Sequence, residues 1–305
     1  MDGEVTLTVG TFDGVHLGHR RILDRVNRKA REQGGESVAY VFERPPRLAL
    51  APEPPPCLLL PIALREAMLR AAVDRVVLVR FADVRRLSPR EFVERIIVGE
   101  LNARGVVVGE GFRFGQHREG DVQALRTLGE EFRFQVESVS PVVSDGQPVS
   151  STRIRHLLRE GHVEDAAGLL GRPPVLVGNV IEGEQIGRTL GHPTANLSLD
   201  PQVLLPADGI YFAHVFANDR RDHGLLYVGE RPTLVSNDRR CEVRTLTPPE
   251  RDLYGTTLEV HVLARLRDDR AFPSLDALRA QIDLDVVAAS DLVPRFPFST
   301  DPIRG

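Results

Sequence analysis

The chain reads as an α/β domain with a doubly wound parallel sheet, followed by a smaller antiparallel β domain and a C-terminal helix. Two observations predict this. Up to about residue 140, short apolar runs alternate with stretches of helical periodicity, as in βα units whose strands are covered on both faces. Near Gly171-Arg172-Pro173-Pro174 the texture changes to short alternating runs between turn-rich segments, the pattern of a small barrel or sandwich. A chain of 305 residues accommodates two domains. They are taken as 1–171 and 172–292, with 293–305 a frayed tail.

Strand runs stand at 4–10, 37–42, 75–81, 105–109 and 134–140. Helical patterns fall between them, at about 18–33, 62–72, 89–102 and 121–132. Gly34-Gly35 offers a C-cap to the first helix. Ser88-Pro89 with Glu91 opens the third as a capping box. A further helix runs from Ser151 or Thr152, either able to cap it, to Glu160. In the second half, alternating runs stand at 175–181, 209–216, 223–228, 240–246 and 256–264, and a helix capped by Ser274 spans 274–283.

Composition narrows the function. Apolar residues make up 42% and charged residues 27%, as in soluble globular proteins. The net charge of −4 and the lack of a basic–aromatic stripe argue against nucleic acid. No signal peptide and no bilayer-length apolar run is read. Cys57 and Cys241 lie far apart without metal-ligand spacing, which suits a reducing cytosol. The expectation is a cytoplasmic protein acting on small molecules, with a homo-oligomer allowed.

The only lysine, Lys29, precedes Ala30, so no Walker-type loop exists. Phosphate chemistry must therefore use histidine, arginine, backbone N–H groups or metal. Residues 10–20, GTFDGVHLGHR, end the first strand and open the first helix. His16 and His19, three apart, share a face of its first turn, where unpaired N–H groups and the dipole favour anions. Gly14 and Gly18 allow close backbone approach. A glycine turn with surface histidines would read the same. In SSTRIR (150–155), Arg153 and Arg155 oppose the dipole of the helix they open; a bound anion explains them, and so does ordinary solvation. The glycine-rich loop GEGFRFGQHREGD (109–121) suits a nucleotide pocket.

In GRTLGHPTAN (187–196), Thr194 and Asn196 share one face of an extended strand and offer hard oxygens to Mg²⁺. Gly178, Gly183 and Gly187 form a flap whose N–H groups can cover phosphates. A polar hairpin is the plainer reading. Glu242, opposite in direction to Cys241 and Val243, is placed to act as a general base, or merely faces solvent.

These motifs resemble the bacterial bifunctional riboflavin kinase/FAD synthetase family. The first half matches through GTFDGVHLGHR, LSPREFV (87–93), VVVGEGFRFG (106–115) and VSSTRIRHLLREG (149–161). The second matches through GNVIEGEQIGRTLGHPTANL (178–197), LLPADGIYFAHV (204–215), VGERPT (228–233), CEV (241–243), DLYG (252–255) and LRDDRAFPSLDALRAQIDLD (266–285). The resemblance implies a Rossmann-like nucleotidyltransferase domain, then a six-stranded Greek-key barrel.

It implies Mg²⁺-dependent phosphorylation of riboflavin to FMN by ATP, then adenylylation of FMN to FAD by a second ATP. His16, His19 and Arg153 would stabilise the leaving pyrophosphate. Gly10, Phe12, Gly14, Gly18, Gly109, Phe112, Ser151 and Thr152 would complete the nucleotide and flavin site. In the second domain Thr194 and Asn196 would hold Mg²⁺ and ATP, Glu242 would be the base, Gly183 and Gly187 would cover phosphates, and Arg267 would belong to a segment closing over the flavin.

Several positions depart from the family pattern. Pro45 stands where a histidine is usual and Gly111 where an Asp or Asn is usual. Tyr227 replaces Asn, Arg244 a common His, His192 an aromatic and Asp269 a frequent Glu. Two alternatives follow: a kinase whose front domain is inactive or takes another nucleotide or flavin, and a flavin-binding regulator without turnover.

Overall fold

The computed structural model describes residues 4–45, 57–183, 192–218, 220–230, 239–248 and 253–298. The chain divides into two compact units, residues 1–54 with 62–151, and residues 55–61 with 152–302.

In the first unit, β1 (Val5–Gly10), β2 (Glu36–Phe42), β3 (Arg75–Val79), β4 (Ala103–Gly109) and β5 (Gln135–Val139) form a parallel sheet in the order β3-β2-β1-β4-β5. β1 pairs with both β2 and β4, so the strand order reverses there. Ligands of such sheets bind beyond the carboxyl ends of the strands at that reversal. The central strands β1, β2 and β4 are buried along most of their length, and the edge strands β3 and β5 are only partly so. On one face α1 (Leu17–Glu32) sets Ile22 and Val26 against Val107 and Val139. The other face carries the larger core, which joins Leu7, Tyr40 and Val106 to Phe92, Ile97 and Leu125.

The remaining helices of this unit are α2 (Ile62–Ala72), α3 (Phe81–Val84), α4 (Pro89–Phe92) and α5 (Val122–Phe132). α4 starts with the expected capping box: Ser88 Oγ accepts from the Glu91 N–H at 3.2 Å and Glu91 Oε2 from the Ser88 N–H at 2.8 Å. Two boundaries differ from the sequence reading. The third strand ends at Val79 and residues 81–84 turn helical. The helix from Pro89 continues as wide π-type turns over Val93–Glu100, with Leu101 N–H reaching Ile96 O, which keeps Val93, Ile96 and Ile97 all inward. A short hairpin, β6 (Val143–Ser144) with β7 (Gln147–Pro148), closes the unit.

The second unit holds α6 (Ser151–Glu160) from its second residue on, α7 (Val163–Leu170) and a closed barrel. Its strands are β8 (Val175–Ile181), β9 (Ala195–Leu199), β10 (Gly209–Ala217), β11 (Arg220–Glu230), β12 (Arg239–Thr245) and β13 (Thr257–Asp268). They close antiparallel in the order β10-β11-β12-β9-β8-β13. The barrel, not the sandwich, is therefore formed, and closure leaves no free sheet edge.

α7 was not read from the sequence, although Glu164 and Asp165 in its first turn and Gly171 at φ +71° after its end mark it. α8 (Leu275–Leu292) runs nine residues past the expected end at 283. Its apolar stripe is interrupted by Asp285, which is buried because Arg267 bonds both its oxygens at 2.9 and 2.8 Å. The supposed tail also packs, up to residue 298. The Phe296 carbonyl accepts from His214 Nε2 at 2.9 Å and His223 Nε2 at 3.1 Å, and the Phe298 ring lies 4.4 Å from both imidazoles.

Candidate functional site

The first candidate site grows from the exit of β1. After Gly10 the chain takes left-handed φ at Phe12 (+52°), Gly14 (+84°) and Val15 (+40°), a tight turn that aims the start of α1 at the carboxyl edge of the sheet. Phe12 is buried under Gly10, where a Cβ would stand 3.0 Å from its ring. His16 is buried and occupies the N-cap of α1, one position before the helix and not in its first turn as read from spacing. Its Nδ1 accepts from the His19 N–H at 3.3 Å. The two imidazoles stack with centroids 3.6 Å apart. Gly18 fits beside them because a Cβ there would stand 3.1 Å from the His16 ring. The Phe12 ring meets His19 edge-on at 5.2 Å. A helix N-terminus and two imidazoles thus converge where an anion is favoured.

Gly109 ends β4, the neighbour of β1, and the half-buried Phe112 beyond it stacks on Phe114 at 5.5 Å. Gly111 faces open space. Ser151 does not cap its own helix; it begins α6, and its hydroxyl donates to the Asp13 carbonyl at 2.9 Å. Thr152 is exposed and Arg153 half-buried in the first turn of α6, within the second unit. Arg155, read as a second anion-facing arginine, is instead buried, with Nε donating to the Cys57 carbonyl at 2.6 Å.

Sequence reasoning missed Arg65. This buried guanidinium donates to the carbonyls of Thr11 at 3.1 Å, Phe42 at 3.3 Å and Glu43 at 2.6 Å, tying the exits of β1 and β2 together. Burial lowers its pKa from the usual arginine value. The available signal was its place four residues before Leu69, on the buried stripe of α2.

The second candidate site is a cavity of about 600 Å³ in the barrel unit. β12 sets Glu242 opposite Asn196 of β9 and Tyr227 of β11. Thr194, just before β9, donates its hydroxyl to Glu242 Oε2 at 3.0 Å. Thr194, Asn196, Glu242 and Arg267 all line this one cavity, so four sequence candidates from three segments meet. Gly183 passes so close to Asn196 that a Cβ would fall 2.0 Å from Nδ2. Gly187 lies outside the described residues.

Other groups complete the walls. Tyr227 donates its hydroxyl to Asp269 Oδ2 at 3.1 Å, and burial with this carboxylate raises its pKa, so it stays a neutral donor. His192 Nε2 lies 3.1 Å from Asp283 Oδ1. Burial, then the Arg244 charge, lowers its pKa. Ile210, Leu225, Phe272 and Leu275 give the cavity an apolar flank, suited to a planar ring joined to a polar chain. Arg240 and Arg244 were not read as site residues, though strand periodicity places both on the Glu242 face of β12.

Comparison with known proteins covers both halves. Residues 1–153 match the FAD synthetase family model and residues 170–293 the riboflavin kinase model. The bifunctional riboflavin kinase/FMN adenylyltransferase of Pseudomonas fluorescens is 37% identical over 293 residues, spanning 93% of this chain and 92% of that protein. Its counterpart in Escherichia coli K12 is 35% identical over 291 residues, spanning 93% and 91%. A crystal structure titled a macrolide-efflux protein from Streptococcus pneumoniae superposes with a TM-score of 0.86 at 31% identity, covering 97% of this chain and 96% of that one. Among the described residues, no helix is long and apolar enough to cross a membrane.

Proposed function

The chain belongs to the bifunctional riboflavin kinase/FMN adenylyltransferase family, and from that premise we propose that its two activities are carried by the two sites just described. It phosphorylates riboflavin to FMN and adenylylates FMN to FAD, with ATP as co-substrate of both steps.

For the kinase, the reading rests on the Thr194–Glu242 hydrogen bond inside the barrel cavity. The flavin ring lies on the apolar flank and its ribityl chain extends toward Glu242. The Glu242 carboxylate takes the proton of the terminal hydroxyl as that oxygen attacks the γ-phosphorus and ADP leaves in line. Thr194 spends its proton on Glu242, so its lone pairs remain for a cation. Thr194 Oγ and Asn196 Oδ1 are hard donors that fit Mg²⁺, with the remaining ligands coming from substrate phosphates. When bound, Mg²⁺ neutralises phosphate charge. Gly183, drawn against Asn196, covers the phosphates, and Gly187, outside the described residues, keeps the role implied by the family resemblance. Arg267, held by Asp285, shapes the flavin wall.

For adenylyl transfer, an FMN phosphate oxygen attacks the α-phosphorus of ATP and pyrophosphate departs. His16 and His19 donate to the pyrophosphate as its charge develops, and Arg153 keeps the cationic role implied by the family resemblance. Phe12, Gly14 and Gly18 shape the turn that holds the imidazoles, while Gly10, Gly109, Phe112, Ser151 and Thr152 border the substrates. Two free, buried thiols support a reducing compartment such as the cytoplasm. Neither an inactive front domain nor a non-catalytic flavin binder is favoured by any observation. Replacing Glu242 with Gln while following FMN formation by chromatography tests the kinase assignment; an unchanged rate would remove Glu242 as the base.

A further inference from the structure

Arg244 lies in the wall of the barrel cavity, two residues along β12 from Glu242 and on the same face. Two other cavity arginines are held by side chains, Arg267 by Asp285 and Arg270 by Gln281. Arg244 makes no ion pair among the described residues, and its Nη1 is buried without a hydrogen-bond partner. The carboxylate whose charge acts on it, Asp283, is already engaged by His192. Burial lowers the Arg244 pKa, a sign of a cation short of solvation. Such a group is costly until an anion pairs with it.

Register indicates which anion. β12 and β9 pair Glu242 with Asn196 and Val243 with Ala195, and because they run antiparallel, Thr194, two residues before Asn196, lies on the Arg244 side of Glu242. Arg244 therefore stands between Thr194 and Leu225, its partner on β11, where the Thr194 side of the cavity meets the apolar flank.

We propose that Arg244 is a further catalytic residue of the kinase reaction, donating N–H groups to the non-bridging oxygens of the phosphoryl group in transfer. The inference rests on the kinase reading of this cavity. Glu242 takes the hydroxyl proton, the riboflavin oxygen–phosphorus bond forms, and the bond between the γ-phosphorus and its bridging oxygen breaks. ADP leaves with that electron pair, and Arg244 offsets the charge on the moving group. A guanidinium fork suits this because it meets two phosphate oxygens at once.

The test compares Arg244→Gln, Arg244→Lys and Glu242→Gln with the parent, each checked for folding by circular dichroism. For Arg244→Gln, kcat for FMN formation should fall by about 10²–10³-fold with KM for riboflavin changed less than about threefold. Lysine should restore part of the loss, since it keeps the charge but not the fork. Without turnover, calorimetric competition in Mg²⁺·ADP should show FMN displacing riboflavin about tenfold less well in Arg244→Gln. An unchanged kcat with a raised riboflavin KM would overturn the proposal in favour of a flavin contact. Unchanged constants in Arg244→Gln with a crippled Glu242→Gln would also overturn it while sparing the site. Unchanged constants in both variants would overturn the cavity assignment itself.

Discussion

The Thr194 hydroxyl and the Glu242 carboxylate, 48 residues apart in sequence, are joined by a 3.0 Å hydrogen bond inside the barrel cavity. The bond engages Glu242 Oε2, and in the proposed kinase reaction Oε1 is the oxygen that meets the substrate hydroxyl. Thr194→Val keeps the shape but removes the donor. It should lower kcat for FMN formation by about 10–100-fold, the cost of one lost hydrogen bond to a charged group. Thr194→Ser should stay within about threefold. Steady-state kinetics on both variants separates the hydroxyl from the methyl group.

Gly183 and Asn196 make a second close relationship. A Cβ at 183 would stand 2.0 Å from Asn196 Nδ2, so Gly183→Ala must displace the amide. The expected result is about a tenfold loss of kcat/KM for ATP, with the melting temperature nearly unchanged. An equal loss for every substrate together with a lower melting temperature would point to general damage.

In the front unit, His16 is both the cap of α1 and a stacking partner of His19. His16→Ala should cost about 1 kcal/mol through the cap and reduce adenylylation by about 10²–10³-fold. His19→Ala keeps the capping side chain and should reduce adenylylation alone. Chemical denaturation alongside a pyrophosphate-release assay distinguishes the two effects.

Stability should depend on pH through His214. Burial holds its pKa below the usual histidine value, aided by His223 and His261, although its bond to the Phe296 carbonyl opposes this. The unfolded chain therefore takes up the proton first. Stability is fully present above about pH 6.5 and is lost as pH falls through the lower folded value. The melting temperature should be flat from pH 8 to about 6.5 and drop below that. His214→Asn should make the slope shallower but not abolish it, because His192 is shifted in the same direction.

Much of this was legible in the sequence. Apolar runs and capping signals located the five strands of the parallel sheet, five of the six barrel strands and the starts of α4 and α8, while β9 and the β6–β7 hairpin were too short to stand out, and the family resemblance joined Thr194, Asn196 and Glu242 in one site. What escaped has physical causes. Arg65 and Arg155 are buried cations that donate to backbone carbonyls, contacts which a sequence does not display. The last turns of α8 were hidden because Asp285 breaks the apolar stripe and only its pairing with Arg267 permits burial. The packing of Phe296 and Phe298 depends on a histidine row on three separate strands. Ser151 was a reasonable cap by type, but its hydroxyl serves the Asp13 carbonyl instead.

The most direct test of two separate sites is one chromatographic product assay on the parent chain, Glu242→Gln and His19→Ala, each given Mg²⁺·ATP with riboflavin or with FMN. The parent should make FMN and FAD from riboflavin and FAD from FMN. Glu242→Gln should lose FMN formation yet still convert supplied FMN to FAD, and His19→Ala should accumulate FMN and make little FAD from either flavin. Loss of both products in either variant, or FAD formation that follows Glu242 rather than His19, would contradict the assignment of the two reactions to these two sites.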